Sequence, residues 1–223
     1  AAAGVGVTIP VFVICVILFL MLSQGAANVA SQRLGAGRAE SVPAVYGAAM
    51  LIALAVGLGV VVLVSFVMPA AIGQIGMPAE SGHFAQTYLR WISAALVLYG
   101  IRTVLGAVNM TQGKPQFNMA IGIVAALVNI PLNIWFMFGM GLGIHGIILA
   151  TVLSQLLAVA MGVWLLATRL STRIDIAAAL SDPAGSIRTV LRFGLPAAIQ
   201  PISAELLMLA VAYMTVLLGL PEM

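Results

Sequence analysis

The chain has 223 residues, 63% of them hydrophobic and only 7% charged, with a net charge of +3. Globular domains carry ~25% charged residues, and a bilayer-spanning helix needs ~20 apolar ones. Stretches without Asp, Glu, Lys or Arg run over Ala1–Gln32, Ser41–Ala79 and Pro115–Thr168, the last of them 54 residues long. This composition excludes a water-soluble enzyme, a nucleic-acid binder and a disulfide scaffold, and gives an all-α polytopic membrane protein.

Six transmembrane helices follow from the apolar runs and the punctuation between them. The first covers Val5–Ala30 and is closed by Gln32-Arg33-Leu34-Gly35-Ala36-Gly37-Arg38. The second covers Val45–Val67 and ends at Pro69; the loop Ala70–His83, with its Gly and Pro, is expected to be irregular. The third covers Phe84–Met110, before a turn at Gln112-Gly113-Lys114-Pro115. Gly139, Gly141 and Gly143 split the long charge-free run into a fourth span, Phe117–Phe138, and a fifth, Ile144–Ala167. A polar stretch, Arg169–Arg192, precedes the sixth, which begins at Phe193 and reaches Leu220. A closed β-barrel would need ~10-residue segments of alternating polarity, and Ala49–Val67 shows none.

Orientation follows from the basic residues. Of nine Lys and Arg, seven lie in alternate connections: Arg33 and Arg38, then Lys114, then Arg169, Arg173, Arg188 and Arg192. Excess positive charge marks cytoplasmic loops, so both ends of the chain are expected to face outward. Arg102, about eight residues before the end of the third span, is expected to snorkel to the cytoplasmic side. Arg90 is a mild exception near the outer end. Both termini read as cuts within a larger protein, because the chain opens on Ala1-Ala2-Ala3 without Met and stops just after an apolar run. The single cysteine, Cys15, is expected to pack in the core. Small residues four apart, Ala53 with Gly57, Ala55 with Gly59, and Ala158 with Gly162, are expected at close helix contacts.

Four stretches in this order resemble one family: GAANVASQRLGAGR (Gly25–Arg38), LGAVNMTQGKPQFNMAIGIVAALVNIPLNIWFMFG (Leu105–Gly139), GIHGIILATVLSQ (Gly143–Gln155) and Phe193-Gly194-Leu195-Pro196. Together they resemble the multidrug and toxic compound extrusion (MATE) transporters, which have twelve helices in two six-helix lobes. The resemblance implies that the chain spans helices two to seven. Residues 1–168 would form five helices of a partial N-terminal lobe, 169–192 a cytoplasmic inter-lobe linker, and 193–223 the first helix of the second lobe.

Glu205 is the only acid inside a predicted span. Twelve residues beyond Phe193, it stands about 18 Å along a ~30 Å core, where a charge costs roughly 2.5–3.5 kcal/mol on insertion scales. A carboxylate held there carries a proton or offers oxygens to a cation. The resemblance implies cation coupling, since the family places an acid on its seventh helix at the matching position. Pro196 and Pro201 bracket the first half of that helix; Pro201 has no N–H, which frees the carbonyl of Ala197 and bends the helix. Asn129 and Asn133 are four apart on one helix face, with Pro131 loosening the backbone between them. The resemblance implies that they line the N-lobe cavity. Some members carry Asp where this chain has Asn133, and a non-titrating amide there fits the branch that resembles sodium-coupled exporters.

The remaining polar features read as structural. Gln32, Gly35, Gly37 and Arg38 form a plain turn, as do Gly113-Lys114-Pro115. His83 and His145 have no companion at a metal-ligand spacing, and no metal or cofactor is expected. Asp175 and Asp182 are expected to be solvated, with Ser181-Asp182-Pro183 opening a helix. Phosphate-loop, His-Glu-x-x-His and Gly-x-Ser-x-Gly motifs are absent from the sequence, which argues against an enzyme and for transport driven by an ion gradient. The resemblance implies a secondary antiporter in the plasma membrane. It would exchange organic cations or amphipathic drugs for sodium or protons, with the bilayer and the rest of the transporter chain as its partners. The alternative is a flippase for lipid-linked saccharide precursors of similar two-lobe fold, which would need a basic cavity; Arg102 is the one deep-set basic residue.

Overall fold

The computed structural model describes residues 2–67, 79–182, 185–196, 199, 202, 203 and 207. Every regular element among them is helical. Helix α1 spans Ala2–Gly35, α2 Val42–Val62, α3 Ala79–Thr111, α4 Pro115–Ile134, α5 Ile144–Thr168 and the short α6 Ile176–Ser181. Five stretches are long and apolar enough to cross a membrane: Phe12–Gly35, Ala39–Phe66, Gln86–Thr111, Pro115–Gly139 and Ile144–Thr168. The sixth expected span falls mostly outside the described residues.

The boundaries shift where the sequence punctuation is weak. Helix α1 continues through Gln32 and Arg33 and turns only at Gly37, whose φ of +72° suits a residue without Cβ. Its end is held from within, as Arg33 Nη1 donates to the Ser41 carbonyl at 2.8 Å. Helix α3 already begins at Ala79, so Gly82 and His83 lie in a helix rather than in an irregular loop. Two spans end in wide π-type turns, Leu63–Val67 after α2 and Trp135–Gly139 after α4. The linker is partly ordered into helix: Asp175 caps α6 by accepting from Ala178 N at 2.9 Å. Asp182 accepts from Gly185 N at 3.1 Å, and residues 185–196 are helical. Asp182 therefore supplies the helix start that Ser181-Asp182-Pro183 announces.

Helix α3 is the centre of the bundle and packs against α1, α2, α4 and α5. One buried cluster joins α1, α2 and α3 through Phe19, Leu22, Tyr46, Ala49, Leu89 and Val104. A smaller one joins α4 and α5 through Ile121, Ala125, Ala158 and Leu165. Close approach is set by small residues, as membrane helices require. A Cβ on Gly57 would stand 3.1 Å from Val97, and one on Gly162 2.9 Å from Leu105. Ala55 and Gly59, by contrast, face outward, and nothing lies within 4 Å of a Cβ on Gly59. Of the three small-residue pairs, this one is not a helix contact among the described residues. It shares a helix with the true contact but lies on another face.

The connections rich in basic residues gather at one end. Lys114 Nζ donates to the Arg169 carbonyl, and Gln112 Oε1 accepts from Ser171 N at 3.1 Å. Asp175 N donates to the Pro43 carbonyl at 3.1 Å. The linker thus lies across the ends of α2, α3 and α4, as the alternation of charge requires.

Candidate polar site between α3, α4 and α5

The polar site sits where the two apolar clusters meet. Asn129 is fourteen residues from the start of α4, or ~21 Å along it, and Ser154 is fourteen residues before the end of α5. Both therefore stand deep in the span rather than at its ends. Their side chains form a directional chain. Asn133 Nδ2 donates to Asn129 Oδ1 at 2.8 Å, and Asn129 Nδ2 donates to Ser154 Oγ at 3.2 Å. Ser154 Oγ then donates to the Thr151 carbonyl at 2.9 Å. The two asparagines share a face, as their spacing predicts, and this face turns toward α5.

A cavity of about 240 Å³ opens beside Asn129. Small residues of α4, Gly122, Ala125 and Ala126, leave the space, and Arg102, Thr151, Ser154 and Gln155 complete its wall. Asn133 does not line it but orients Asn129 from one turn away. Three buried polar atoms here have no partner among the described residues: Arg102 Nε, Gln155 Oε1 and Asn133 Oδ1. Buried polar groups are normally paired, so the site carries unused donor and acceptor capacity. No acidic side chain of the described residues lines it.

Arg102 departs from expectation. Instead of snorkelling to the basic end, its guanidinium lies 5.0 Å from the Tyr99 ring centroid and faces the cavity. The cause is helix direction. Side chains lean toward the N-terminus of their own helix, and the N-terminus of α3 is the end away from Lys114. Tyr99, one turn back, then meets the cation with its ring face.

Among the proline sites, Pro131 lies inside α4 with its ring exposed, opposite the two asparagines. The wide turn Trp135–Gly139 follows, where Met140 N donates to the Trp135 carbonyl at 2.9 Å. Pro196 closes the described helical stretch 185–196 and is exposed. Pro201 and Glu205 lie outside the described residues. The polar wall of α5 escaped sequence reasoning. Its signal was the spacing Thr151, Ser154, Gln155, one helical face of three polar residues inside a 54-residue run without charge.

The MatE family profile matches residues 1–135, which takes in α1 to α4. The probable multidrug resistance protein NorM of Acinetobacter baylyi is 26% identical over 158 residues, covering 69% of this chain and 34% of that protein. The uncharacterized transporter YisQ of Bacillus subtilis is 20% identical over 98% of this chain and 49% of its own length. The chain thus spans between a third and a half of these relatives. The bent form of the Vibrio cholerae MATE transporter VcmN superposes with a TM-score of 0.84 at 19% identity, covering 97% of this chain and 49% of that one. That likeness concerns the fold. With the family matched over more than half its length and an all-helical bundle of membrane-length spans, this chain belongs to the MatE family.

Proposed function

We propose that the chain is part of a secondary antiporter that exports cationic or amphipathic compounds in exchange for sodium or protons. The observation that carries this reading is the polar cavity of about 240 Å³ at Asn129, deep within an otherwise apolar bundle. Such polar groups inside membrane spans are costly and mark substrate or ion paths. The names of the NorM relatives support export of drugs. They favour it over the flippase reading, which is set aside.

Residues 1–168 would supply most of one lobe, 169–192 the linker and 193–223 the first helix of the other. Substrate would bind between the lobes, which rock to alternate access. Asn129 would line the N-lobe side, oriented by Asn133. Glu205 would hold the coupling ion or the cationic substrate, so that one displaces the other. Asn133, which cannot titrate, tilts the coupling ion toward sodium. The protein would work in the plasma membrane without cofactor or nucleic acid.

The test uses the full-length reading frame that carries this chain, reconstituted in liposomes under a sodium or proton gradient. Glu205→Gln is expected to abolish gradient-driven efflux of an organic cation while leaving insertion and yield unchanged. Normal coupled efflux in that variant refutes the assignment.

A further inference from the structure

We propose that the groove between α1 and the helical stretch 185–196 holds an anionic phospholipid of the cytoplasmic leaflet, with its phosphate on Arg188 and Arg192 and an acyl chain against Met21, Leu191 and Leu195. Such a site stands on the sidedness of the connections and goes beyond the transport reading, since it requires no transported compound. The groove measures about 540 Å³ and is lined by Met21, Ile187, Arg188, Leu191, Arg192 and Leu195. Two glycines give it its shape. A Cβ on Gly25 would overlap the Val190 carbonyl oxygen, and one on Gly194 would overlap the Met21 carbonyl oxygen. The two backbones therefore touch where they cross, and the larger side chains flank the crossing as an open wall. Residues 188, 191, 192 and 195 share one helix face, and their order along it matters. The stretch rises from Asp182 at the basic end, so the arginines come first, and Leu195 lies seven residues, ~10 Å, beyond Arg188. Met21 on the other wall is twelve residues before Arg33, ~18 Å from the basic end of α1, which is acyl depth. Charge at the water boundary followed by apolar surface is the polarity profile of a phospholipid. Both arginines are exposed, and no acid lines the groove among the described residues. The linker acids are engaged as helix caps: Asp175 accepts from Ala178 N and Asp182 from Gly185 N. Guanidinium groups bind phosphate through paired hydrogen bonds, and basic pockets between membrane helices on the cytoplasmic side collect such headgroups. A protein helix in the same place would have to bring an acid into the acyl region, which is costly.

Native mass spectrometry of the full-length protein, titrated with phosphatidylglycerol or with phosphatidylcholine of the same acyl chains, tests this. The wild type is expected to hold phosphatidylglycerol more tightly. Each basic residue near an anionic lipid is worth about fivefold, so Arg188→Gln with Arg192→Gln should weaken phosphatidylglycerol binding about 25-fold and leave phosphatidylcholine unchanged. Arg188→Lys with Arg192→Lys should keep most of the affinity. Arg169→Gln with Arg173→Gln, at the same end but outside the groove, should change neither lipid's affinity. Leu195→Trp, which fills the apolar end from an exposed position, should weaken both lipids. Equal losses from the two Arg→Gln pairs would mean diffuse surface charge. No preference for phosphatidylglycerol in the wild type would mean that the rest of the full-length chain covers the groove. Full binding in Leu195→Trp would mean that no acyl chain enters it. Each of these three results overturns the proposal, and none depends on whether the protein transports anything.

Discussion

Gly25 and Gly59 allow a packing energy to be separated from helix propensity. Both lie in helices, α1 and α2, and replacing either with Ala should gain about the same propensity, ~1 kcal/mol. Their surroundings differ completely. A Cβ on Gly25 would overlap the Val190 carbonyl oxygen and stand 2.8 Å from both Cα and N of Gly194, whereas nothing lies within 4 Å of one on Gly59. The atoms opposing Gly25 are backbone, so no rotamer change relieves the overlap; residues 185–196 must move off α1 by several tenths of an ångström. Overpacking of this kind costs ~1–3 kcal/mol. Because the propensity gain is common to both, the difference between Gly25→Ala and Gly59→Ala is the overlap alone, ~1–3 kcal/mol in favour of the Gly59 variant. Thermal unfolding of the full-length protein in detergent, followed by tryptophan fluorescence, reads this difference. Equal midpoints, or a more stable Gly25→Ala, would mean that residues 185–196 do not cross α1 at this glycine.

Two further outcomes are open to measurement. Asn129→Leu and Asn133→Leu should show a coupling of about 0.6 kcal/mol in a double-mutant cycle, the mean for side-chain hydrogen bonds between membrane groups; strict additivity would dismiss the bond between them. Gln112→Ala frees Ser171 N and Oγ from their acceptor, so trypsin should cut after Arg169 and Arg173 faster than in the wild type, and an unchanged cleavage rate would show that the linker is held elsewhere.

The spans were legible because lipid leaves the backbone no option but helix over long apolar runs. Their ends were less so. Gln32 and Arg33 looked like a loop because they are polar, yet a polar residue at the water boundary costs α1 nothing, and the chain turns only where Gly37 permits a positive φ. Gly82 and His83 belong to a stretch that reads as a loop for its Gly and Pro, yet the helix already begins at Ala79. Charge alternation gave the sidedness of the connections, and the structure gathers those connections at one end through Lys114, Gln112 and Asp175. Half of the candidate site was visible as the Asn129–Asn133 spacing. The other half was not, because Thr151, Ser154 and Gln155 are ordinary residues until their helix is set against α4. Arg102 was visible but misdirected: residue type says that it seeks a polar surface, whereas only the direction of α3 says which one.

The packing around the site explains why its hydrogen bonds carry weight. In the span Gln86–Thr111, which contains most of α3, 61% of the residues in the most apolar stretch are buried, against 11% in Pro115–Gly139, which contains α4. Among the described residues helix α4 buries little: Ile123, Leu127, Ile130 and Ile134 are exposed, and its apolar cluster with α5 is small. Where dispersion contacts are few, a polar contact supplies a larger share of what fixes a helix in azimuth. The bond from Asn129 to Ser154, at 3.2 Å, is such a contact. It ties α4 to α5 at the depth of the cavity, while Pro131 removes one backbone donor from α4 and the wide turn Trp135–Gly139 follows directly after its end. The same asparagine thus holds the wall in register and presents its amide to the cavity. Losing it would loosen the helix that carries it, whereas losing Arg102 would change a cavity-lining side chain on the most deeply buried span among the described residues.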